Sequence, residues 1–256
     1  MKGNFNTVMD KCSVNEHKPQ TAFQGSARVI SKTQPIRLLV ANAKGGCGKT
    51  TLATNIASYF ATQGEGTAIV DHDPQGSSID WLSARDPKLA PITGVAAFKS
   101  QNSNSTRSYS LRVPSNTTRI VLDSPAGLNL HALSDMIRAT DLIIIPVIPS
   151  SIDIRAATRF IKDVLLSQAY RSKKKPIAVV ANRVKKNTLV YKKLELFLNS
   201  LNIPFIASFR DTQNYVRASE HGLGLADDER ADNKDKLEWK PMLEWIEQQI
   251  SLKQNI

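Results

Sequence analysis

One stretch, VANAKGGCGKTT from Val40 to Thr51, limits what this chain can fold into more than anything else in it. The β-rich apolar run Ile36 to Val40 reads as a strand leading in. After the glycines, Leu52, Ile56 and Tyr59 fall at helical spacing and read as a helix leading out. Strand, glycine-rich turn and helix in that order imply a phosphate cradle. Glycines let the backbone close around an anion with its N–H groups facing inward, and the helix N-terminus adds partial positive charge. Lys49 is placed to reach β- and γ-phosphates, and the Thr50 hydroxyl to ligate Mg²⁺.

The general phosphate-loop pattern, G-x-x-x-x-G-K-[ST], is met with two departures. Ala43 stands where the first glycine belongs, and a second lysine, Lys44, precedes Gly45 and Gly46 at the loop entrance. The resulting form, K-G-G-x-G-K-T-T, resembles the deviant Walker A loop of the ParA/MinD superfamily of ATPases. The resemblance implies that Gly45, Gly46, Cys47, Gly48, Lys49, Thr50 and Thr51 hold ATP. It also implies that Lys44 crosses a dimer interface to touch the nucleotide of a second subunit, and it counts Lys44 and Lys49 as catalytic.

Two further motifs follow in order. Thr67 to Val70 reads as a buried strand delivering DHDPQGS, Asp71 to Ser77, which puts carboxylates where Mg²⁺ and an attacking water belong. The D-x-D-P-Q-G-S form also resembles the ParA pattern. That implies Asp73 as the residue that positions or polarises the water, with Asp71 in support. The run RIVLDSPAG, Arg119 to Gly127, reads as an apolar strand ending in the Walker B carboxylate Asp123. Asp73 and Asp123 are expected in the outer shell of the Mg²⁺ that Thr50 ligates. The family usually carries Thr and Pro where Ser124 and Ala126 stand. Asn182, after the strand Ile177 to Ala181, resembles the position whose amide reads adenine. Ile203 to Ala207 is expected as a further strand, followed by a loop and helix through Arg217. His17, His72, His131 and His221 show no zinc-ligand spacing, and Cys12 and Cys47 no disulfide framework.

Charge is uneven. From Ile154 to Lys193 there are 12 Lys/Arg and one acid, Asp163, so 12 − 1 = +11. The remainder holds 34 − 12 = 22 bases and 23 − 1 = 22 acids, and is neutral. A solvated helix face accounts for some of it, but an excess so localised more often marks a polyanion-binding surface, with nucleic acid favoured over anionic lipid. A helix from Ile152 to Ser167 carries Ile154, Ala157, Phe160, Ile161, Val164 and Leu165 on one face and Arg155, Arg159 and Lys162 on the other. Arg171, Lys173, Lys174 and Lys175 follow in a loop, then Lys185 and Lys186. With Arg217, a candidate further on, Arg155, Arg159, Lys173, Lys174, Lys175, Lys185 and Lys186 are the expected DNA contacts.

Residues 1–34 are polar and aperiodic and read as a flexible tail, leaving 35–256 as the ATPase domain. An edge strand near Tyr109 to Val113 is expected in a Ser/Asn/Thr-rich stretch. No apolar run reaches the roughly 20 residues of a membrane helix, and no secretory signal is visible, which points to the cytoplasm; the nucleoid is what the resemblance implies. The last helix, about Lys234 to Ile250, with Leu237, Trp239, Met242, Leu243, Trp245, Ile246 and Ile250, could be a MinD-like membrane anchor. Its Glu238, Glu244 and Glu247 oppose adsorption to anionic lipid, so core packing and no stable membrane association are expected.

Strands alternating with helices, with each motif at a strand's C-terminal end, predict an α/β doubly wound, mainly parallel sheet with helices on both faces. The resemblance implies a Mg-dependent ATPase that forms a homodimer with ATP sandwiched and binds non-specific DNA. An activating, ParB-like cargo adaptor would then stimulate hydrolysis, so that a plasmid, chromosome or protein assembly such as a carboxysome is segregated or positioned. A MinD-like membrane ATPase and a P-loop ligase or synthetase are the alternatives. An electron carrier of the nitrogenase-reductase kind lacks the cysteines it would need, and a tyrosine kinase its tyrosine-rich tail.

Overall fold

Short β-branched runs separated by amphipathic helices bury the central strands on both faces, and such strands pair in parallel through helical crossovers. The computed structural model describes residues 34–98, 113–200, 203–228 and 231–254. Within them lie β1 (Ile36–Val40), α1 (Lys49–Thr62), β2 (Thr67–Asp71), α2 (Ser77–Ser83), β3 (Ile92–Ala96), β4 (Arg119–Asp123), α3 (Leu130–Arg138) and β5 (Leu142–Val147). The second half adds α4 (Ser151–Leu166), α5 (Gln168–Ser172), β6 (Ile177–Val184), α6 (Leu189–Ser200), β7 (Phe205–Arg210), α7 (Asn214–Glu220) and α8 (Asn233–Gln254). The sheet order is β3-β2-β4-β1-β5-β6-β7, and each described pairing is parallel.

Two apolar layers cover the sheet. Leu38, Val40, Ile69, Val121 and Ile144 face α1 and α8, through Leu52, Ile56, Phe60, Trp239, Met242, Ile246 and Ile250. Leu39, Val70, Leu122, Ile143 and Ile145 face α3, α4 and α6, through Leu133, Ile137, Phe160, Ile161, Val164 and Leu194. The doubly wound expectation is met, and α8 spends its apolar face on the sheet. Among the described residues no helix is long and apolar enough to cross a membrane.

Several local expectations shift. The loop expected after α4 contains the short helix α5, opened by Ser167, whose side chain accepts from the Tyr170 N–H. The strand expected at Ile203 starts at Phe205 and runs to Arg210, and α8 is longer than expected. Leu237, expected to pack inward, is 67% exposed, because the first turns of α8 are held by polar contacts. Arg210 there bridges Asp232 and Asp235, and Glu238 accepts from the Arg210 N–H. The expected edge strand near Tyr109 and the tail up to residue 33 fall outside the described residues.

Candidate functional site

Register brings the three motifs together. Val40, where the glycine loop departs, lies beside Asp123 at the end of β4, and Asp123 lies beside Asp71 at the end of β2. Neighbouring strands are about 4.8 Å apart, so Asp123 stands next to the loop and Asp71 one strand further out. Cross-links tighten the arrangement: Ser124 N–H donates to Val40 O (3.2 Å), Gly127 N–H to Ala43 O (2.9 Å), and His72 N–H to Asp123 O (3.0 Å).

The loop needs its glycines for two reasons. Gly46 and Gly48 have φ of 75° and 94°, in the left-handed region that side chains resist. A Cβ on Gly48 would also lie 2.0 Å from Nδ2 of Asn182. Gly48 caps α1 without a side chain, and the first helical bond there runs from Leu52 N–H to Gly48 O (3.0 Å). The first turn of α1 therefore presents N–H groups without α-helical partners to the loop, which suits an anion. The two loop lysines differ sharply. Lys49 is buried, with 6% of its surface exposed, and its Nζ donates to Lys44 O at 3.1 Å. Lys44 itself is exposed at the loop entrance. Cys47 is a buried free thiol whose Sγ donates to Lys44 O; burial pushes its pKa up and keeps it protonated.

The carboxylates separate by role. Asp71 accepts from the N–H groups of Asp73 (2.9 Å) and Ser78 (3.0 Å), one on each oxygen. Both of its oxygens thus shape the turn that carries Asp73. Asp73 is only half-buried and accepts from Gln75 N–H (3.0 Å). Asp123 is 1% exposed; its Oδ2 accepts from the Ser78 hydroxyl (3.0 Å), while its Oδ1 is buried without a hydrogen-bond partner among the described residues. Burial raises the Asp123 pKa to about 7. The nearby Asp71 charge adds to that, and the Thr50 and Ser78 hydroxyls and the Lys49 ammonium oppose it.

An orphaned carboxylate oxygen beside the Thr50 hydroxyl fits a Mg²⁺ ion and its water shell. Mg²⁺ keeps several waters and takes few protein ligands. Thr50 would bind the ion directly, with Asp123 and Asp73 holding its waters.

Asn182 is 6% exposed and donates from Nδ2 to Cys47 O (2.9 Å), while its Oδ1 accepts from Arg183 N–H (2.9 Å). It braces the loop and keeps one amide donor for another partner. The basic residues do not form one surface. Helices here run opposite to the strands, so Arg155, early in α4, and Lys185 and Lys186, just after β6, lie at the loop end of the sheet; Arg159 is one turn further along α4. Arg217 is exposed on α7. Lys173 and Lys174 precede β6 and lie at the opposite end.

Lys175 leaves the expected DNA set altogether. It is 8% exposed, and its Nζ donates to the carbonyls of Ile137, Arg138 and Thr140 at the end of α3. These carbonyls lie at the C-terminal end of the helix, where Ile137 O takes a short-turn bond from the Thr140 N–H (3.2 Å), and they carry the negative end of the helix dipole, so the ammonium caps the helix and is turned away from any phosphate.

Sequence reasoning missed a group that secures this end of the molecule. Arg85, after α2, makes paired bonds to Asp227 (2.6 Å each), whose Oδ2 also accepts from Ser58 Oγ (2.7 Å) and Gly224 N–H (2.9 Å). Trp81 Nε1 donates to Leu223 O (3.3 Å). Nothing local signals a pair 142 residues apart. The glycines at 222 and 224, which pack against Arg85 and Ser58, are the only hint of a close approach.

A parallel sheet with a glycine loop at the end of its central strand, and strand-end carboxylates on the next two strands to one side, defines a P-loop nucleotide-binding protein. The family described as the CobQ/CobB/MinD/ParA nucleotide binding domain matches residues 38–225, and this chain belongs to it. It is 29% identical over 200 residues, 77% of this chain and 89% of the relative, to maintenance of carboxysome distribution protein A of Halothiobacillus neapolitanus. Among solved structures it resembles a Borrelia burgdorferi B31 protein described as a plasmid partition protein bound to AMPPNP. That match has TM-score 0.65 and 16% identity, covering 84% of this chain and 100% of that one. It also resembles a Cyanothece McdA variant in complex with ATP, with TM-score 0.57 and 17% identity, over 76% of this chain and 90% of that one.

Proposed function

We propose that this chain is a ParA-type positioning ATPase. It binds ATP with Mg²⁺, closes as a homodimer over the nucleotide, holds non-specific DNA in that state, and hydrolyses ATP when a cargo adaptor engages it. The observation that carries the reading is the contrast between the two loop lysines. Lys49 is buried inside its own loop, whereas Lys44 is exposed at the entrance and is free to extend to a second copy. A phosphate loop serving one subunit needs only the first.

Lys49 and the N–H groups of the loop hold the phosphates. Asp73, on a turn fixed by Asp71, orients the water. Asn182 has an amide donor to spare for the adenine edge. Arg155, Arg159, Lys185, Lys186 and Arg217 supply phosphate contacts near the nucleotide end. Closing two copies doubles that number, and affinity for DNA depends steeply on it through counterion release. The similarity to proteins named for carboxysome distribution favours a protein assembly as cargo, and the DNA-bound state would place the protein on the nucleoid. A membrane-anchored alternative is disfavoured, because Trp239, Met242, Ile246 and Ile250 of α8 are buried on the sheet.

The test is binding of the full chain to non-specific duplex DNA with no nucleotide, ADP or ATP, in wild type and Lys44→Ala. Added affinity with ATP, weakened by salt and lost in Lys44→Ala, supports the reading. Affinity indifferent to nucleotide defeats it.

A further inference from the structure

Seven cations gather at the end of the sheet opposite the nucleotide loop: Arg37, Arg138, Arg171, Lys173, Lys174, Lys175 and Lys253. The starts of β1 and β6 and the ends of α3, α5 and α8 bring them there. Contacts hold the group together. Arg37 N–H donates to Asp141 Oδ2 (2.8 Å), Lys253 bridges the same carboxylate, and Lys175 lies within electrostatic reach of Arg37, Lys173 and Lys253. Among the described residues two carboxylates belong to the cluster, Asp141 and Asp135, which bridges Arg138 at 2.9 Å, while Glu65 at this end is paired with Arg119, outside the seven. The balance is 7 − 2 = +5. Arg171, Lys173 and Lys174 are exposed, and the Arg138 side chain is 62% exposed although bridged. On α4, Lys162 and Asp163 offset each other nearby.

This end is electrostatically separate from the nucleotide end. The 16 residues of α4, which span the two, give about 24 Å of helix. The Debye length at physiological salt is about 8 Å. A polyanion at one end is therefore screened from the other.

We propose that this distal end is a second polyanion surface, which holds duplex nucleic acid whether or not nucleotide is bound. It rests on the function proposed above only for the choice of nucleic acid as the polyanion. Like charges crowded with so few carboxylates repel one another, and a phosphate backbone relieves that repulsion while releasing its own counterions. A lipid surface fits less well. Adsorption needs a continuous apolar face, and the exposed apolar residues at this end, Leu166 and Leu252, lie at the ends of two different helices.

The experiment measures binding of the full chain to a short mixed-sequence duplex across a salt range, without nucleotide and with ATP. Wild type is compared with Arg171→Gln/Lys173→Gln/Lys174→Gln and with Arg155→Gln/Arg159→Gln/Lys185→Gln/Lys186→Gln. Each lost phosphate contact should cost nucleotide-free affinity roughly eightfold near 0.1 M salt and flatten the salt slope by about 0.9. The distal triple variant should show that loss and keep the ratio of ATP-bound to nucleotide-free affinity, and the second variant the reverse. Acetylation footprinting on wild type, which needs no variant to fold, should show Lys173 and Lys174 protected by DNA without nucleotide. Wild-type nucleotide-free affinity in a folded triple variant overturns the proposal, as do lysines that stay reactive under DNA. If ATP changes nothing in any protein, the positioning reading fails, while nucleotide-free binding still decides the distal surface.

Discussion

Asn182 donates from Nδ2 to the carbonyl of Cys47 at 2.9 Å, which ties the end of β6 to the middle of the glycine loop. The same nitrogen occupies the space a Cβ on Gly48 would need. The amide and the glycine are therefore one device: the loop comes this close only because Gly48 has no side chain.

Asn182→Asp should be worse than Asn182→Ala. Alanine removes a donor, whereas aspartate sets a carboxylate against the Cys47 carbonyl in a buried place. A lost buried bond costs about 1–3 kcal/mol, with more expected when the replacement is charged. Thermal melts should rank wild type, alanine and aspartate in that order, and binding of a fluorescent ATP analogue should weaken in the same order. Equal melts for the two variants would show that the bond does not brace the loop.

The Arg85–Asp227 pair gives a second expectation. Both side chains are almost wholly buried, at 4% and 0% exposure. Asp227→Asn leaves a buried guanidinium without its counter-charge, and breaking such a pair from one side costs about 3–5 kcal/mol. Urea unfolding should show a loss of that size. The double variant Arg85→Met/Asp227→Leu should recover part of it, because no unpaired charge then remains.

Lys175 predicts a pH dependence. Burial lowers its pKa from 10.5 to about 8, with Asp141 opposing the shift. Below pH 8 the ammonium is charged in both folded and unfolded chains, and its burial cost is present in full. Between about 8 and 10.5 the folded protein has released the proton that the unfolded chain still binds, so stability from this group rises with pH. The difference in unfolding free energy between wild type and Lys175→Met should move in favour of wild type across that window. A difference that stays flat would mean the lysine is not buried as described.

Lys175 also shows where sequence reasoning stops. Three consecutive lysines before a strand look like solvated charge, and two of them are. The third is distinguished only by the end of α3, some 35 residues earlier in the chain, whose carbonyls need a donor. Asp71 has the same character: as a strand-end acid it reads as a support for the water or the metal's outer shell, yet the folded turn spends both its oxygens on backbone N–H groups. Lys49, Thr50, Asp73 and Asp123 were legible because each is defined by backbone close by, a loop or a strand end, and the parallel register then aligns them. Residues whose partners come from distant segments, such as Arg85 and Asp227, leave no local period or spacing to read.

The proposed function assigns nucleotide binding to one loop lysine and assembly to the other. Lys49 lies inside the loop, so Lys49→Ala should abolish binding of a fluorescent ATP analogue, because no other side chain in the loop supplies a buried positive charge. Lys44 is exposed, and what the loop takes from it is its backbone: Lys44 O accepts from Lys49 Nζ and from Cys47 Sγ. Lys44→Ala keeps that carbonyl, so affinity for nucleotide should fall by no more than a few-fold. If the side chain reaches a second copy, the shift from monomer to dimer with ATP, read by light scattering, should be lost in Lys44→Ala and retained in wild type. A Lys44→Ala protein that still dimerises with ATP would assign the entrance lysine to its own subunit, and the contrast between the loop lysines would no longer support an ATP-closed dimer.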